Sequence, residues 1–170
     1  MTEAPIGVFD SGVGGLTVMR EIMRQLPGEN AVYFGDTARV PYGSKSKKTV
    51  LKYSRQIVRF LQTKQVKAIV VACNTASALA LDEIRQEIDI PVIGVVEPGA
   101  KMAAEMTKTG SIGIIGTEST IKSGIYNDYL REIDPDITVV SKACPLFVPL
   151  VEEGLWEDLS LIHISEPTRH

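Results

Sequence analysis

The feature that most constrains the fold is a regular alternation of short apolar runs with longer segments of helical period. Residues 68–72 form one such run, which ends abruptly in the polar residues Cys73, Asn74 and Thr75. After them, apolar residues recur every three or four positions up to Ile88, as expected for a helix face. Comparable apolar runs cover residues 6–9, 31–34, 91–96, 111–115 and 138–141. This alternation predicts an α/β fold with a parallel sheet flanked by helices.

Polar side chains cluster where the predicted strands end. They are Asp10 and Ser11, Asp36 and Thr37, Cys73 to Thr75, Glu97, and Thr117. Because the carboxyl ends of parallel strands share one edge of a sheet, we expect these residues to converge on a small-molecule site. Cys73 also precedes a predicted helix, whose N–H groups and dipole would stabilise a thiolate or a bound carboxylate. The alternative for Cys73 is inert packing, since free cysteines are often buried.

Other polar residues have a structural and a functional interpretation. Asp10 either caps the helix after the glycine-rich turn or accepts a proton or an ammonium group. The loop at 35–44 is typical of a binding loop, although Tyr42 could simply cover the core. Thr117 or Ser119 is expected to cap a helix that continues through Tyr129. A short helix is predicted from Ala100 to Met106, after the strand at 91–96.

Composition excludes several classes of function. A net charge of −3 argues against nucleic-acid binding, and no apolar stretch is long enough to span a membrane. The two cysteines lack Cys-x-x-Cys spacing, which favours a reducing cytoplasm over a disulfide scaffold, although a Cys73–Cys144 bridge stays open. The two histidines, His163 and His170, lie in the last ten residues. Residues 1–160 therefore offer no Cys-His pair and no imidazole metal site, and we expect no metal.

Several motifs in this order resemble the glutamate racemases of the aspartate/glutamate racemase family. They are GVFDSGVGGLT at 7–17, YFGDTARVPYG at 33–43, VACNTAS at 71–77, IGT at 115–117 and CPLFVPLVEEG at 144–154. The resemblance covers roughly residues 5–156. It implies cofactor-independent interconversion of L- and D-glutamate, which supplies D-glutamate for peptidoglycan. In this reaction one cysteine removes the α-proton and a second delivers a proton to the opposite face.

The resemblance also assigns roles to individual residues. Cys73 is one acid/base, and Asp10 assists it. The residues implied to contact substrate are Asp10, Ser11, Pro41, Tyr42, Gly43, Asn74, Thr75 and Thr117. Asp36 and Glu152 are supporting candidates, and Cys144, which precedes a proline, is expected to pack. The implied partner is glutamate, with no nucleic acid and no membrane, and the intact protein is a candidate homodimer.

The family fold has two α/β lobes that face each other across the substrate. Here the resemblance predicts a first lobe at 1–96, part of a second lobe at 97–160, and an unrelated tail at 161–170. The tail includes both histidines, which we expect to be non-functional. The family's second catalytic cysteine, in a Gly-Cys-Thr-His-Tyr-Pro-like motif, is absent. We therefore expect weak glutamate binding, poor racemisation and exposed apolar surface.

Two alternatives remain open from the sequence. One is a single-thiol lyase that resembles arylmalonate decarboxylase, for which the missing second cysteine would not matter. The other is a binding fragment without catalytic activity that regulates a partner. Deuterium exchange into glutamate, carbon dioxide release from a malonate, and a pulldown with Cys73→Ser distinguish the three.

Overall fold

The computed structural model describes residues 3–155, which form two parallel sheets and the helices around them. The strands are β1 Ile6–Asp10, β2 Ala31–Gly35, β3 Ala68–Val71, β4 Val92–Gly94, β5 Ser111–Gly116 and β6 Thr138–Ala143. The helices are α1 Leu16–Gln25, α2 Lys47–Thr63, α3 Asn74–Glu87, α4 Val96–Met106, α5 Glu118–Ser123, α6 Ile125–Ile133 and α7 Phe147–Glu152. The alternation of strand and helix confirms the predicted α/β class.

The larger sheet has the strand order β2-β1-β3-β4, and every pairing in it is parallel. β1 is central, with Val8 and Phe9 fully buried between β2 and β3. The main core lies between this sheet and helices α2 and α3, where Ile57, Leu61 and Ile84 are buried. Since β1 and β3 are neighbours, the polar residues after them, including Asp10 and Cys73, emerge side by side.

The smaller sheet pairs β5 with β6 in parallel. The residues of β5 alternate between exposed and half-buried, and the face that carries Ile115 and Val140 is open to solvent. This confirms the expected exposure of apolar surface. The boundary predicted between residues 96 and 97 stays a prediction, and the tail predicted at 161–170 lies outside the described residues.

Two predicted helices differ from those observed. The helix predicted from Ala100 begins earlier, because α4 starts at Val96 and includes Pro98. Proline is tolerated in the first turn of a helix, where its missing N–H would have no partner. Glu97 consequently lies in that helix and pairs with Lys101 at 2.8 Å. The prediction that Glu97 lines the site is wrong, since it is not among the residues around the cavity.

The helix predicted to run through Tyr129 is broken into α5 and α6. Gly124 adopts φ 71° at the break, in the left-handed region that glycine tolerates best. Thr117 caps α5 as predicted, because its hydroxyl accepts the N–H of Thr120. Among residues 3–155, no helix has the length and apolarity needed to cross a membrane.

Candidate active site

A cavity of about 630 Å³ opens at the carboxyl ends of β1 and β3 and extends toward β5 and α7. It brings together nine of the residues predicted for the site. They are Asp10, Ser11, Tyr42, Gly43, Cys73, Asn74, Thr75, Thr117 and Glu152. Pro41 and Asp36 do not line it, although both adjoin residues that do. Convergence of strand ends at one sheet edge thus accounts for most of the arrangement.

Cys73 lies at the N-cap position of α3 and is buried. Its Sγ accepts the N–H of Ala76 at 3.4 Å, and it donates to Ser11 Oγ at 3.4 Å. The thiol therefore has a fixed position between the helix N-terminus and the loop after β1. Cys73 and Cys144 are both free, so the structure contains no bridge between them.

The pKa of the Cys73 thiol is raised to about 11, although the N–H of Ala76 at the helix N-terminus lowers it, as expected from the sequence. Burial is the largest cause, since the charged form loses its hydration, and the nearby negative charge of Asp10 adds to it. Hydrogen bonds that the thiolate would accept from Ser11 and from the Ala76 N–H lower the pKa, but each is weaker. Without a ligand, Cys73 is a neutral thiol at physiological pH.

Asp10 is buried at the end of β1, and its Oδ2 accepts the N–H groups of Gly12 and Gly15, each at 3.1 Å. Asp10 is therefore not the N-cap residue of α1, a position that Gly15 occupies. Its carboxylate instead binds the backbone of the loop that precedes α1. One carboxylate group fixed by two backbone donors beside Cys73 can serve a bound ammonium group.

Three threonine hydroxyls form a closed cluster between α3 and α5. Thr75 and Thr117 are 2.9 Å apart, Thr117 and Thr120 are 2.9 Å apart, and Thr75 and Thr120 are 3.2 Å apart. Each hydroxyl has one proton and can turn it toward a neighbour or toward a ligand. Thr120 was not predicted, although the capping relation between Thr117 and a residue three positions later could have identified it.

Tyr42 lines the cavity from a short 3-10 helix, Tyr42–Ser44, and is fully buried. Its hydroxyl donates to Asp36, which also accepts from Arg39 Nε at 2.9 Å. Burial and the Asp36 carboxylate raise the pKa of Tyr42 far above its usual value, so the phenol stays protonated. Asp36 therefore holds the Tyr42 hydroxyl. Tyr42 packs in the core and lines the cavity, and its role in binding stays a prediction.

Glu152 reaches the site from α7. Its Oε1 accepts the N–H of Val13 at 3.1 Å, next to Gly12 in the loop that follows β1. Cys144 is half-buried and lines the same cavity, with its Sγ 3.9 Å from the carbonyl of Lys142. Packing therefore stays the prediction for Cys144, now on the wall of the cavity.

Tyr126 is a second lining residue that the sequence did not indicate. Its hydroxyl donates to Asn74 Oδ1 at 2.7 Å, which links α6 to the first residue of α3. Within residues 3–155, no group of three or more histidine, cysteine or acidic side chains is arranged to hold a metal ion. His163 and His170 lie outside the described residues.

The chain is similar in sequence to proteins of a known family. The model of the Asp/Glu/hydantoin racemase family matches residues 6–153. A glutamate racemase of Geobacter metallireducens is 56% identical over 163 residues, covering 96% of this chain and 60% of that protein. The chain thus spans about 60% of the length of this relative.

The fold is also similar to that of solved glutamate racemase structures. Glutamate racemase isoform RacE1 from Bacillus anthracis superposes with a TM-score of 0.88 at 46% identity, over 96% of this chain and 60% of that one. The glutamate racemase of Francisella tularensis, solved in complex with D-glutamate, gives 0.87 at 42% identity, over 95% of this chain and 61% of that one. Both confirm the arrangement of strands and helices around the cavity.

Proposed function

The chain belongs to the Asp/Glu/hydantoin racemase family, and from that premise we propose that it carries one thiol base of a cofactor-independent glutamate racemase. The product, D-glutamate, would serve peptidoglycan synthesis in the cytoplasm. The observation that carries the proposal is the position of Cys73 between Ser11, Asp10 and the N-terminus of α3. The similarity to a racemase solved with D-glutamate supports glutamate as the ligand.

The charges of the site suit an amino acid with two carboxylates. Asp10 supplies the acceptor for the ammonium group. The N–H groups of Asn74 and Thr75 occupy the first turn of α3, where they have no partner within the helix. Such donors can bind a carboxylate and stabilise the charge that develops on it when the α-proton leaves.

Ligand binding also provides a reason for Cys73 to become a base. The charge of Asp10 raises the thiol pKa. An ammonium group paired with Asp10 cancels that charge, so the thiol pKa falls when substrate is present. The Cys73 thiolate would take the α-proton, and the Cys73 thiol would return a proton to the same face of the carbanion.

A second cysteine on the opposite face is needed for inversion. The sequence contains two cysteines, and Cys144 is expected to pack, so we expect exchange of the α-proton with little racemisation. The test is to incubate the chain in deuterated water with L-glutamate and with D-glutamate separately. We expect deuterium to enter the α-position of one enantiomer, which keeps its configuration.

Cys73→Ser should abolish this exchange, and Cys144→Ser should leave it unchanged. Absence of exchange with both enantiomers would contradict the proposal. Release of carbon dioxide from an arylmalonate would instead support the decarboxylase alternative. A protein partner whose binding survives Cys73→Ser, in a chain that shows no exchange, would support the regulatory alternative.

A further inference from the structure

The hydrogen bond between Tyr126 and Asn74 crosses from one half of the described chain to the other. Tyr126 Oη donates to Asn74 Oδ1 at 2.7 Å. The tyrosine is half-buried and lies against α4. Its hydroxyl oxygen would be 3.4 Å from a Cβ atom placed on Gly99 of that helix. Asn74 itself is exposed, and both side chains line the cavity. Among Cys73, Asn74 and Thr75, the phenol therefore contacts the one residue that is exposed.

An asparagine amide has two different ends, a carbonyl oxygen that accepts and an NH2 group that donates. Rotation about the last side-chain bond exchanges the two ends at little cost in energy. Burial raises the pKa of Tyr126, so its hydroxyl keeps its proton and can donate. Because the Tyr126 hydroxyl donates to Asn74 Oδ1, the amide oxygen points toward α6 and the NH2 group points toward the cavity.

We propose that Tyr126 is a positioning residue, which orients the Asn74 amide so that its NH2 group faces a carboxylate of the bound amino acid. This inference rests on the proposed function, since it assumes a glutamate-like ligand. The opposite orientation would place the carbonyl oxygen against the carboxylate, where the two would repel. Tyr126 would thus determine the preference for a carboxylate without contacting the reacting atoms.

Tyr126→Phe removes the hydroxyl and retains the ring, and Tyr129→Phe is the matched control on the same helix. The readout is alkylation of Cys73 by iodoacetamide, with increasing L- or D-glutamate as protectant. In Tyr126→Phe we expect the concentration for half-protection to rise about threefold to tenfold, the effect of losing one hydrogen bond. Alkylation without glutamate, and half-protection in Tyr129→Phe, should not change.

A double-mutant cycle separates orientation from a general structural effect. In the Asn74→Ala background, Tyr126→Phe should produce no further loss of protection, because there is no amide left to orient. An equal loss in both backgrounds would overturn the inference, and so would full protection in Tyr126→Phe alone.

A measurement without ligand keeps this inference separate from the proposed function. The 13Cγ resonance of Asn74 reports a hydrogen bond to Oδ1, and it should move upfield in Tyr126→Phe but not in Tyr129→Phe. An unchanged resonance in both variants would overturn the orientation of the amide. If glutamate fails to protect Cys73 in the unmodified chain while the resonance shifts as expected, the proposed substrate is wrong and the orientation is retained.

Discussion

Gly43 lies directly against Thr117, because a Cβ atom on Gly43 would be only 2.3 Å from the Thr117 Cβ. Gly43 belongs to the short 3-10 helix that follows β2, and Thr117 caps α5 after β5. Thr117 in turn shares a hydrogen bond with Thr75, one residue from Asn74. This close approach of a backbone to a side chain, which requires glycine, brings two residues that line the cavity together.

Gly43→Ala should displace Thr117 and disturb the threonine cluster. We expect it to lower the free energy of unfolding by about 1–3 kcal/mol, as overpacking usually does, and to weaken protection of Cys73 by glutamate. Thermal melts and the iodoacetamide assay measure the two effects. Gly28→Ala is the control, since no atom lies within 4 Å of a Cβ there. Equal melting temperatures for both variants would contradict the prediction.

Asp10→Asn should lower the pKa of Cys73, because it removes a negative charge that raises it. Only the thiolate reacts with iodoacetamide. In the unmodified chain the rate should therefore rise with pH, with a midpoint near pH 11, the pKa of the buried thiol. In Asp10→Asn the midpoint of the pH profile should move to lower pH, because one of the two causes that raise the pKa is removed.

The direction of this shift is the critical result. Asparagine can still accept the N–H groups that Asp10 binds, so the loop should be retained. A profile that moves to higher pH, or does not move, would show that the charge of Asp10 does not act on Cys73.

Ser11→Ala should act in the opposite sense. The hydrogen bond between Ser11 and Cys73 lowers the thiol pKa, so its loss should raise the midpoint of the same profile. At pH 8 to 9 we expect Ser11→Ala to react more slowly than the unmodified chain, and Asp10→Asn to react faster. Identical rates for Ser11→Ala and the unmodified chain would mean that the 3.4 Å contact contributes nothing.

Much of this site could be predicted because it follows from local sequence and one topological rule. A strand that ends in Cys73 and a strand that ends in Asp10 must deliver both residues to the same edge of a parallel sheet. The helix after Cys73 and the cap at Thr117 are likewise local features. The motifs at 7–17 and 71–77 then identified the family.

The features that sequence reasoning missed depend on contacts between distant segments. Tyr126 meets Asn74 across 52 positions, and no local pattern indicates that pair. The raised pKa of Cys73 follows from the depth of burial, whereas the sequence showed only the helix N-terminus that opposes it. The sequence predicts the start of α4 at Ala100 and not at Val96, because a proline in the first turn of a helix, such as Pro98, looks the same in sequence as a proline in a loop.

Asp36→Ala should destabilise the fold strongly, although Asp36 does not line the cavity. It would leave the buried Tyr42 hydroxyl and the Arg39 guanidinium without their shared partner. Loss of one member of a buried, charged network costs about 3–5 kcal/mol. Glu118→Ala, which breaks an exposed pair with Lys122, should cost about 1 kcal/mol or less. Urea unfolding of the two variants checks the difference, and equal midpoints would contradict it.

The open face of the small sheet should drive self-association. In this parallel pair Val140 lies opposite Gly113, and Ile115 lies opposite Lys142, so all four point to one face. Val140 is 68% exposed and Ile115 is 65% exposed, on a two-stranded sheet whose strand edges can also pair with another chain.

Val140→Lys should therefore reduce association, because it removes one of the two large apolar side chains of this face and adds a second charge beside Lys142. Gln86→Lys adds the same charge on the exposed surface of α3 and is the matched control. Light scattering against protein concentration should show smaller particles for Val140→Lys and no change for Gln86→Lys. If both lysines reduce scattering equally, net charge and not the β5–β6 face controls association.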